Sequence, residues 1–561
     1  MKALLVYPRF PVTYWGFQYG MRIIGKKATL PPLGLLTVAA LLPKDWHLRL
    51  VDLNMVETLD DDHLRWADVV LTGGLLIQVP SILDIIARAS AHGRPVMVGG
   101  PAPTASPDLF GDANVVFRGE AESRIDELVR ALERSSRKHL VLEAPSSFPE
   151  MTSVPVPRFD LIELSKYASV SVQYSRGCPF QCEFCDVIEI FGRKQRTKTP
   201  EQVVKELDAI HQLGYRGTLF FVDDNFIGNK AAVKRLLPII RDWQRSHGTP
   251  FELYTEASIN LATDSKLLDL MVAAGFTAVF VGIETPSEKA LEETKKFQNL
   301  RVDLSEAIDR ITGAGLQVMG GFIVGFDSDD EEVFALQREF LARQPIPLAM
   351  VGILTALPGT GLWRRLEKEG RLRERSTGDQ FDRPNFVPVM EEDKLLEGYS
   401  ELMTWLYSPK EFYGRCLAHL RRTGSINTER RPISVDDLGA FFRAMWHVGV
   451  RSPRRRLFWP LMLKAISKGR CHLRQAVTHA IQGEHLFLYT REHLVPRMER
   501  ALAALGAELE QSLSSLPTTG EEGPPAARLL SHLQPAGTMP ITAAWTQTTQ
   551  PLRPSAKRVD Q

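Results

Sequence analysis

The stretch Ser-Arg-Gly-Cys-Pro-Phe-Gln-Cys-Glu-Phe-Cys, residues 175–185, carries three cysteines in the spacing C-x3-C-x2-C. Cys178, Cys182 and Cys185 can bind three irons of a [4Fe–4S] cluster and leave the fourth iron without a protein ligand. An iron of that kind is a binding site for a substrate or a cofactor. A zinc site and three unrelated thiols are the alternatives, but structural zinc takes four ligands and no further Cys or His lies near the motif.

The composition is that of an ordinary globular protein, with 561 residues, 44% hydrophobic residues and a net charge of +1. This balance gives no reason to expect nucleic acid as a partner. The five cysteines do not form a disulfide framework, and we expect Cys416 and Cys471 to be buried free thiols. A cluster requires a reducing compartment, which predicts a cytoplasmic protein. The N-terminal apolar run is too short for a signal peptide. The sequence contains no run of about 18 apolar residues, so it predicts no membrane-spanning helix.

Short apolar strands alternate with helices in residues 1–140, which predicts an α/β fold with a doubly wound parallel sheet. We expect strands at 2–7, 48–53, 69–72, 95–98 and 115–117, and helices at 31–42, 80–91 and 122–132. Ligands of such sheets bind at the carboxyl ends of the strands.

Small residues follow three of these strands: Thr72-Gly73-Gly74, Gly99-Gly100-Pro101 and Gly119-Glu120. Glycines there allow a macrocycle or a nucleotide tail to approach the backbone, although a tight turn is the simpler explanation. The arrangement resembles the cobalamin-binding domain that precedes some radical S-adenosylmethionine domains. The resemblance implies cobalamin contacts from Thr72, Gly73, Gly99 and Gly100. The loop after the first strand has no histidine, so the lower cobalt ligand stays undefined. Gln78 is a candidate neighbour of cobalt or, alternatively, a solvated loop residue.

After a linker at 141–164, six strand–helix units in residues 165–370 predict a partial (β/α)6 barrel of the TIM type, with function at the carboxyl ends of its strands. We expect strands at 169–174, 218–222, 251–255, 277–281, 317–323 and 350–354. Helices are expected at 200–213, 231–246, 264–274 and 305–314. The cysteine motif directly follows the first of these strands.

This central part resembles radical S-adenosylmethionine enzymes, with Phe184 as the aromatic residue before the third cysteine. The resemblance implies that the methionyl group of S-adenosylmethionine chelates the open iron and that the reduced cluster then releases a 5′-deoxyadenosyl radical. It also assigns roles to polar residues at consecutive strand ends. These are Asp223 and Asp224 for the methionyl ammonium, Glu256 and Ser258 for the ribose or carboxylate, Glu284 for the ribose or ammonium, and Phe184 for adenine. Each acid taken singly could instead be an N-cap or a solvated loop residue.

Residues 371–510 lack strand patterns and predict a helical domain, with helices at 393–407, 435–448 and 493–504. The domain resembles the helical extension of cobalamin-dependent radical enzymes such as the hopanoid methylases. Arg451–Arg474 holds eight Lys and Arg and no acid around Leu457–Leu463. That pattern is typical of a peripheral membrane contact or of a core helix with basic flanks. Residues 511–561 are rich in Pro, Thr, Gly and Ala, and we expect a disordered tail.

These resemblances imply a cobalamin-dependent radical S-adenosylmethionine C-methyltransferase that acts on an unactivated carbon of a hopanoid or another lipid. One S-adenosylmethionine would methylate cobalamin, and a second would give the radical that removes a hydrogen atom from the substrate. An electron donor such as flavodoxin or ferredoxin is then required. Two alternatives remain open: a related enzyme that forms rings or rearranges carbon without methyl transfer, and a non-catalytic iron–sulfur protein.

Overall fold

Two six-stranded parallel sheets and a set of C-terminal helices form the protein in a computed structural model, which describes residues 1–133, 139–145, 147–423 and 431–514. The first sheet has the order β2-β1-β3-β4-β5-β6, and the second has the order β14-β13-β12-β11-β10-β7. The predicted fold class is confirmed: a doubly wound sheet, an open barrel and a helical part follow one another along the chain.

Helices cover both faces of the first sheet. Along β1, Ala3 and Leu5 join one apolar cluster and Leu4 and Val6 join the other, because alternate side chains of a strand point to opposite faces. The strands are β1 (Lys2–Tyr7), β2 (His47–Asp52), β3 (Val69–Gly73), β4 (Val96–Gly99), β5 (Val115–Phe117) and β6 (Leu140–Leu142). The helices are α1 (Gln18–Ile24), α2 (Leu33–Leu41), α3 (Asp61–Trp66), α4 (Val79–Ala91), α5 (Pro101–Ala105) and α6 (Ile125–Glu133).

Four short elements of this part differ from the sequence prediction. Strand β6 lies at the boundary of the predicted linker and extends the sheet by one strand beside β5. Helices α1, α3 and α5 occupy segments for which no helix was predicted. The four elements have between three and seven residues, which is too few to show a clear hydrophobic period.

The second sheet curls into the open barrel, and its outer face packs under helices. Alternate residues of β10 and β11 point to opposite faces of the sheet. Phe220 and Tyr254 point away from the helix-covered face, and their rings stack with centroids 4.6 Å apart. The strands are β7 (Ser169–Val172), β8 (Ser175–Arg176), β9 (Arg196–Thr197), β10 (Gly217–Phe221), β11 (Phe251–Glu256), β12 (Phe276–Glu284), β13 (Gln317–Val324) and β14 (Ala349–Ile353). The helices are α7 (Val187–Ile190), α8 (Pro200–Gln212), α9 (Lys230–Ser246), α10 (Ser265–Ala274), α11 (Glu288–Glu293), α12 (Phe297–Leu300), α13 (Leu304–Gly313), α14 (Glu332–Arg343) and α15 (Gly361–Lys368).

The C-terminal part is helical, as expected. It contains α16 (Glu392–Leu406), α17 (Pro409–Arg422), α18 (Val435–Ala444), α19 (Arg455–Lys468), α20 (Arg470–Tyr489) and α21 (Val495–Ser514). A π-helical segment, Met445–Arg451, follows α18, and a second one, Thr490–Leu494, links α20 to α21. Cys416 is buried, whereas Cys471 is only half-buried. None of the described helices combines the length and the apolar character needed to cross a membrane. The predicted tail lies outside the described residues from position 515 onwards.

The loop after β1 joins all three parts of the molecule. The hydroxyls of Tyr14 and Tyr407 are 2.5 Å apart, which connects the loop to the C-terminal helices. The indole Nε1 of Trp15 lies 3.0 Å from the Met350 sulfur on β14. On α20, Nε2 of His485 is 3.1 Å from the carbonyl oxygen of Tyr14. The first sheet is therefore fixed to the barrel through buried aromatic side chains.

A buried ion-pair network forms a second junction. Glu120, which follows β5, pairs with Arg176 of β8 at 2.5 Å and with Arg196 of β9 at 2.6 Å. Glu122 pairs with Arg176 at 2.7 Å, and the guanidinium holds the pKa of Glu122 below its usual value although burial acts to raise it. Because buried charges need partners, this network holds the edge of the first sheet against the segment that carries the cysteines.

We expect Glu120→Ala to destabilise the protein by about 3–5 kcal/mol, because it leaves two buried guanidinium groups without that partner. The midpoint of urea unfolding measures the change. Glu143→Ala is the matched control, since the exposed pair of Glu143 with Arg118 should contribute less than about 1 kcal/mol. Equal midpoints for the two variants would contradict a structural role for the network.

Candidate active site

The cysteine motif lies in a loop whose two ends pair with each other as the short antiparallel strands β8 and β9, which we call the clip. Strands β8 and β9 pair Ser175 with Thr197 and Arg176 with Arg196. Gly177, directly before the first cysteine, has φ +89°, and a Cβ there would come within 2.7 Å of the Gly192 carbonyl oxygen. Only glycine tolerates both the backbone conformation and this close approach. The predicted strand 169–174 ends earlier than expected, at Val172. Two residues separate it from Ser175, where the first strand of the clip begins.

The three thiols sit in a buried environment that suits ligation to iron. Burial raises the pKa of the Cys178 and Cys185 thiols, so iron is needed to stabilise the thiolates there. Two amides approach the sulfurs: Asn225 Nδ2 lies 3.9 Å from Cys178 Sγ, and Gln298 Nε2 lies 3.6 Å from Cys182 Sγ. Donors of this kind tune the reduction potential of an iron–sulfur cluster.

The donor set fits a cluster better than it fits a single ion. In the described part of the chain, no three His, Cys, Asp or Glu side chains converge on a point where one metal ion could sit. The thiols of a cubane each bind a different iron and need no such convergence. The thiols of Cys178, Cys182 and Cys185 still interact electrostatically with one another, so they share one small region.

Asp223 and Asp224, at the end of β10, bind the backbone that leads into the cysteine loop. Asp223 is buried and accepts hydrogen bonds from the Tyr174 amide at 3.2 Å, the Ser175 amide and the Ser175 hydroxyl at 2.5 Å. Asp224 accepts from the Gly177 amide at 3.2 Å. Burial raises the pKa of Asp223 to about 7 and that of Asp224 to about 6. Their predicted contact with a methionyl ammonium stays a prediction, and their observed role is to position the cysteines.

Glu256 and Ser258, at the end of β11, lie beside this pair. Burial, with repulsion from Asp224 and Asp223, raises the pKa of Glu256 to about 8. Ser258 donates from its amide to Asn225 Oδ1 at 3.2 Å, and the same asparagine reaches Cys178. The ends of β10 and β11 thus combine three carboxyl groups of raised pKa, an environment that favours a cationic ligand.

Glu284 ends β12 in a conformation that is rare for a residue with a side chain. Its φ is +64°, the strand register shifts at this point, and its carboxylate pairs with Lys296. Burial acts to lower the pKa of Lys296, but Glu284 and the thiols of Cys182 and Cys185 together raise it. Backbone strain of this kind concentrates at functional sites.

Phe184, inside the motif, points towards the same lysine. Its ring centroid is 5.8 Å from Lys296 Nζ and 6.2 Å from the ring of Phe326, which follows β13. A cation close to an aromatic face stabilises the position of both groups. The ring lies on the barrel side of the cysteine loop, and its predicted contact with adenine stays a prediction.

A cavity of about 450 Å³ opens between the cysteine loop and the ends of β10 and β11. Asn225 and Ser258 line it together with Phe180, Gln195, Asn260 and Lys230. Its size is in the range of small-molecule sites. Of the residues predicted for S-adenosylmethionine, only Ser258 borders this cavity directly.

The carboxyl end of the first sheet faces the cysteine loop. Helix α5, which directly follows Gly99-Gly100, contacts α7 inside that loop. The Thr72 hydroxyl donates to the Val6 carbonyl at 2.8 Å, and a Cβ on Gly73 would collide with the Gly99 carbonyl oxygen. These small residues therefore serve the packing of adjacent strand ends, and their predicted cobalamin contacts stay predictions.

The solvated-loop interpretation of Gln78 is wrong. Gln78 is 1% exposed, donates to the Pro8 carbonyl at 2.7 Å and accepts from the Leu75 amide at 3.0 Å, so it bridges the loops after β1 and β3. Strands β1 and β3 are parallel neighbours, and the order in which strands are added to the sheet reverses between them. A switch point of this kind is where doubly wound sheets bind ligands. A cavity of about 670 Å³ lies there, bordered by Leu76, Ile77 and Arg497 among others.

Several residues of the site were missed by sequence reasoning. Gln298 and Lys296 reach the cysteines from around α12, far along the chain, and no motif marks them. Gln195 donates to the Ser175 hydroxyl at 2.8 Å. Asn225 directly follows the two predicted aspartates, so its place in the Asp-Asp-Asn run was a usable signal.

Comparison with known proteins agrees with this geometry. Residues 172–339 match the family model of the radical SAM superfamily, and residues 360–497 match a domain of unknown function, DUF4070. The chain is 41% identical to an uncharacterized methyltransferase of Synechocystis sp. over 92% of this chain and 95% of the relative. It is 34% identical to the hopanoid C-2 methylase of Rhodopseudomonas palustris, over 88% of this chain and 94% of that one.

The fold is also similar to that of a solved structure, the cobalamin-dependent S-adenosylmethionine radical enzyme OxsB with aqua-cobalamin and S-adenosylmethionine bound. The TM-score is 0.55 at 15% identity, covering 94% of this chain and 82% of that one. The predicted resemblance is confirmed, and the protein belongs to the radical S-adenosylmethionine superfamily, in the group of methylases that includes hopanoid C-2 methylase.

Proposed function

We propose that the protein is a cobalamin-dependent radical S-adenosylmethionine C-methyltransferase that acts on an unactivated carbon. The observation that carries the proposal is the cysteine loop, in which three thiols lie beside the carboxyl groups at the ends of β10 and β11, with no converging fourth ligand in the part of the chain that the structure describes. When bound, the [4Fe–4S] cluster and cobalamin supply the radical and methyl-transfer chemistry.

Cys178, Cys182 and Cys185 would hold three irons of the cluster, and the fourth iron would be open to the methionyl group of S-adenosylmethionine. Asn225 and Gln298 direct amide hydrogens at two of the sulfurs and so stabilise negative charge on them. The clip and the two aspartates fix the loop backbone and thereby the positions of the three thiols.

Asp224 and Glu256 bind the positive end of S-adenosylmethionine. Both carboxyl groups are half-buried, and desolvation raises the pKa of each, so a cationic ligand would relieve their mutual repulsion. Ser258 and Glu284 lie at the flanking positions for ribose, and Phe184 provides an apolar surface for adenine. The Glu284–Lys296 ion pair keeps Glu284 oriented towards the site.

Cobalamin would bind at the carboxyl end of the first sheet, with Gly99 and Gly100 close to the cysteine loop. The cavity of about 670 Å³ at the switch point offers apolar walls from Leu76 and Ile77 with arginine side chains at its border. This combination suits a flat ring system that carries a phosphate-bearing tail.

The substrate proposed here is a hopanoid or a related lipid, in keeping with the name of the 34% identical methylase. A flavodoxin or ferredoxin would supply the electron, which places the enzyme in a reducing, cytoplasmic compartment. Peripheral contact with the membrane would bring the enzyme to a lipid substrate.

The function is tested with methyl-labelled S-adenosylmethionine. Protein reconstituted anaerobically with iron, sulfide and cobalamin, and supplied with a low-potential reductant that gives the cluster its electron, should transfer the label to a hopanoid acceptor and release 5′-deoxyadenosine. Omission of cobalamin should abolish labelling of the lipid. Formation of 5′-deoxyadenosine with an unlabelled, altered product would instead favour a radical enzyme without methyl transfer.

Replacing any one of Cys178, Cys182 and Cys185 by Ala should remove most of the bound iron, because a cluster needs all three thiolates. Iron and sulfide analysis after reconstitution measures the loss, together with the yield of 5′-deoxyadenosine. Cys471→Ser is the control and should keep its iron. A full iron content in Cys178→Ala would show that this thiol is not a ligand.

Glu256→Gln should weaken S-adenosylmethionine binding about tenfold, or about 1.4 kcal/mol, because it removes one negative charge from the site. The ionised form attracts the cation, so wild-type affinity should rise as the pH passes through the Glu256 pKa of about 8, and the variant should respond less to pH. Equilibrium binding of S-adenosylmethionine measures both effects. It should be followed from pH 7 to pH 9, which covers about one unit on either side of the Glu256 pKa. Glu339→Gln, at an exposed pair on α14, is the control; equal affinity of Glu256→Gln and wild type would rule out this role.

A further inference from the structure

Exposed apolar side chains concentrate in one part of the C-terminal helices. Of the twenty large apolar residues that are exposed in the described chain, eight lie between positions 433 and 466. Scattered apolar residues are normal on a surface, but a cluster of this kind marks an interaction site. Seven of them form what we call the apolar face: Leu438, Phe442, Trp446, Val450, Trp459, Leu463 and Ile466.

The apolar face consists of two rows. Leu438, Phe442, Trp446 and Val450 follow one another every four residues along α18 and the π-helical segment, so they share one side of that helix. Phe442 is 66% exposed and Trp446 is 55% exposed. On α19, Trp459, Leu463 and Ile466 form the second row, while Phe458, Leu461 and Met462 on the opposite side are buried.

The two rows are held side by side. Trp459 Nε1 donates to the Gly449 carbonyl at 3.0 Å, and a Cβ on Gly449 would come within 2.9 Å of the Phe458 ring. Helix α19 therefore packs directly on the π-helical segment. Arg443 anchors α18 to the rest of the molecule by donating to the carbonyls of Ile23 and Ile24 at 2.7 and 2.9 Å. The apolar face is thus a fixed surface of the folded protein.

From Leu438 onwards the charge of this segment has one sign, whereas Asp436 and Asp437 lie directly before it. Residues 438–483 contain nine Lys and Arg and no Asp or Glu. Some of these bases are used inside the protein, such as Arg454 with Glu484 and Arg474 with Glu252. Five others are exposed and form no ion pair within the described residues: Arg451, Arg455, Arg456, Lys464 and Arg470.

We propose that the apolar face and its five exposed bases bind the surface of an anionic membrane. Tryptophan and phenylalanine insert at the level of the lipid headgroups, and arginine and lysine beside them bind the negative phosphates. The contact is peripheral, since none of the described helices could span a bilayer. The proposal goes beyond the catalytic function, because it concerns where the protein sits and not which bond it makes.

Cosedimentation of the full-length protein with vesicles tests this proposal. Wild type should bind phosphatidylcholine vesicles that contain phosphatidylglycerol, and binding should weaken on removal of the anionic lipid or at high salt. The double variant Trp446→Ser/Leu463→Ser and the double variant Arg455→Glu/Arg456→Glu should each bind about tenfold more weakly, since both the apolar and the charged contribution are needed. Val389→Ser, which changes a 63% exposed apolar residue elsewhere, should bind like wild type.

Three results would overturn the proposal, and the first two come from sedimentation: wild type that stays in solution with anionic vesicles, or a Trp446→Ser/Leu463→Ser protein that sediments like wild type. A third would be a wild-type dimer, seen by analytical ultracentrifugation, that the same variant converts to a monomer without any vesicle binding. Formation of 5′-deoxyadenosine in vesicle-free solution should be the same in all variants. That readout separates a failure of membrane binding from a failure of the proposed chemistry.

Discussion

The carboxylate of Glu120 connects the two sheets at the place where the chemistry is proposed. Glu120 follows β5 at the carboxyl edge of the first sheet. Its carboxylate binds one arginine from each of the two strands, β8 and β9, that close the cysteine loop. Parallel sheets bring their ligands to the carboxyl ends of the strands, and here two such edges must face each other. The buried network provides the alignment, while the contact of α5 with α7 provides the packing.

The carboxyl groups around the cysteines divide into two kinds. Asp223 and Asp224 bind backbone amides of the loop entry, so they shape the site even before any ligand is present. Within the described residues Glu256 accepts no such backbone hydrogen bond, and its ionised form is destabilised by burial and by the charges of Asp224 and Asp223. In the protein without ligand, its raised pKa means that stability falls as the pH rises towards 8, because the unfolded chain ionises first. A bound cation would favour the ionised form of Glu256 and so offset this loss of stability.

Local patterns in the sequence were sufficient for much of the architecture. The alternation of strands and helices predicted both sheets, and the cysteine spacing marked the loop at which the site is proposed, because each signal lies within a few residues. The clip was missed since strands of two residues have no hydrophobic period. Lys296 and Gln298 were missed because only the folded barrel brings α12 to the thiols. The segment 451–474 was marked as basic and apolar, yet its exposed side and its partner row on α18 depend on tertiary packing.

The loop after β1 has a mechanical consequence. Where a histidine could have been offered to a cofactor, this chain inserts Tyr14 and Trp15 between the barrel and the C-terminal helices. Hinge opening between the first sheet and the barrel would require extraction of both rings from their packed positions, together with separation of the Glu120 pairs. We therefore expect the first sheet and the barrel to stay together during turnover, so a bulky substrate would have to reach the cysteine loop without their separation.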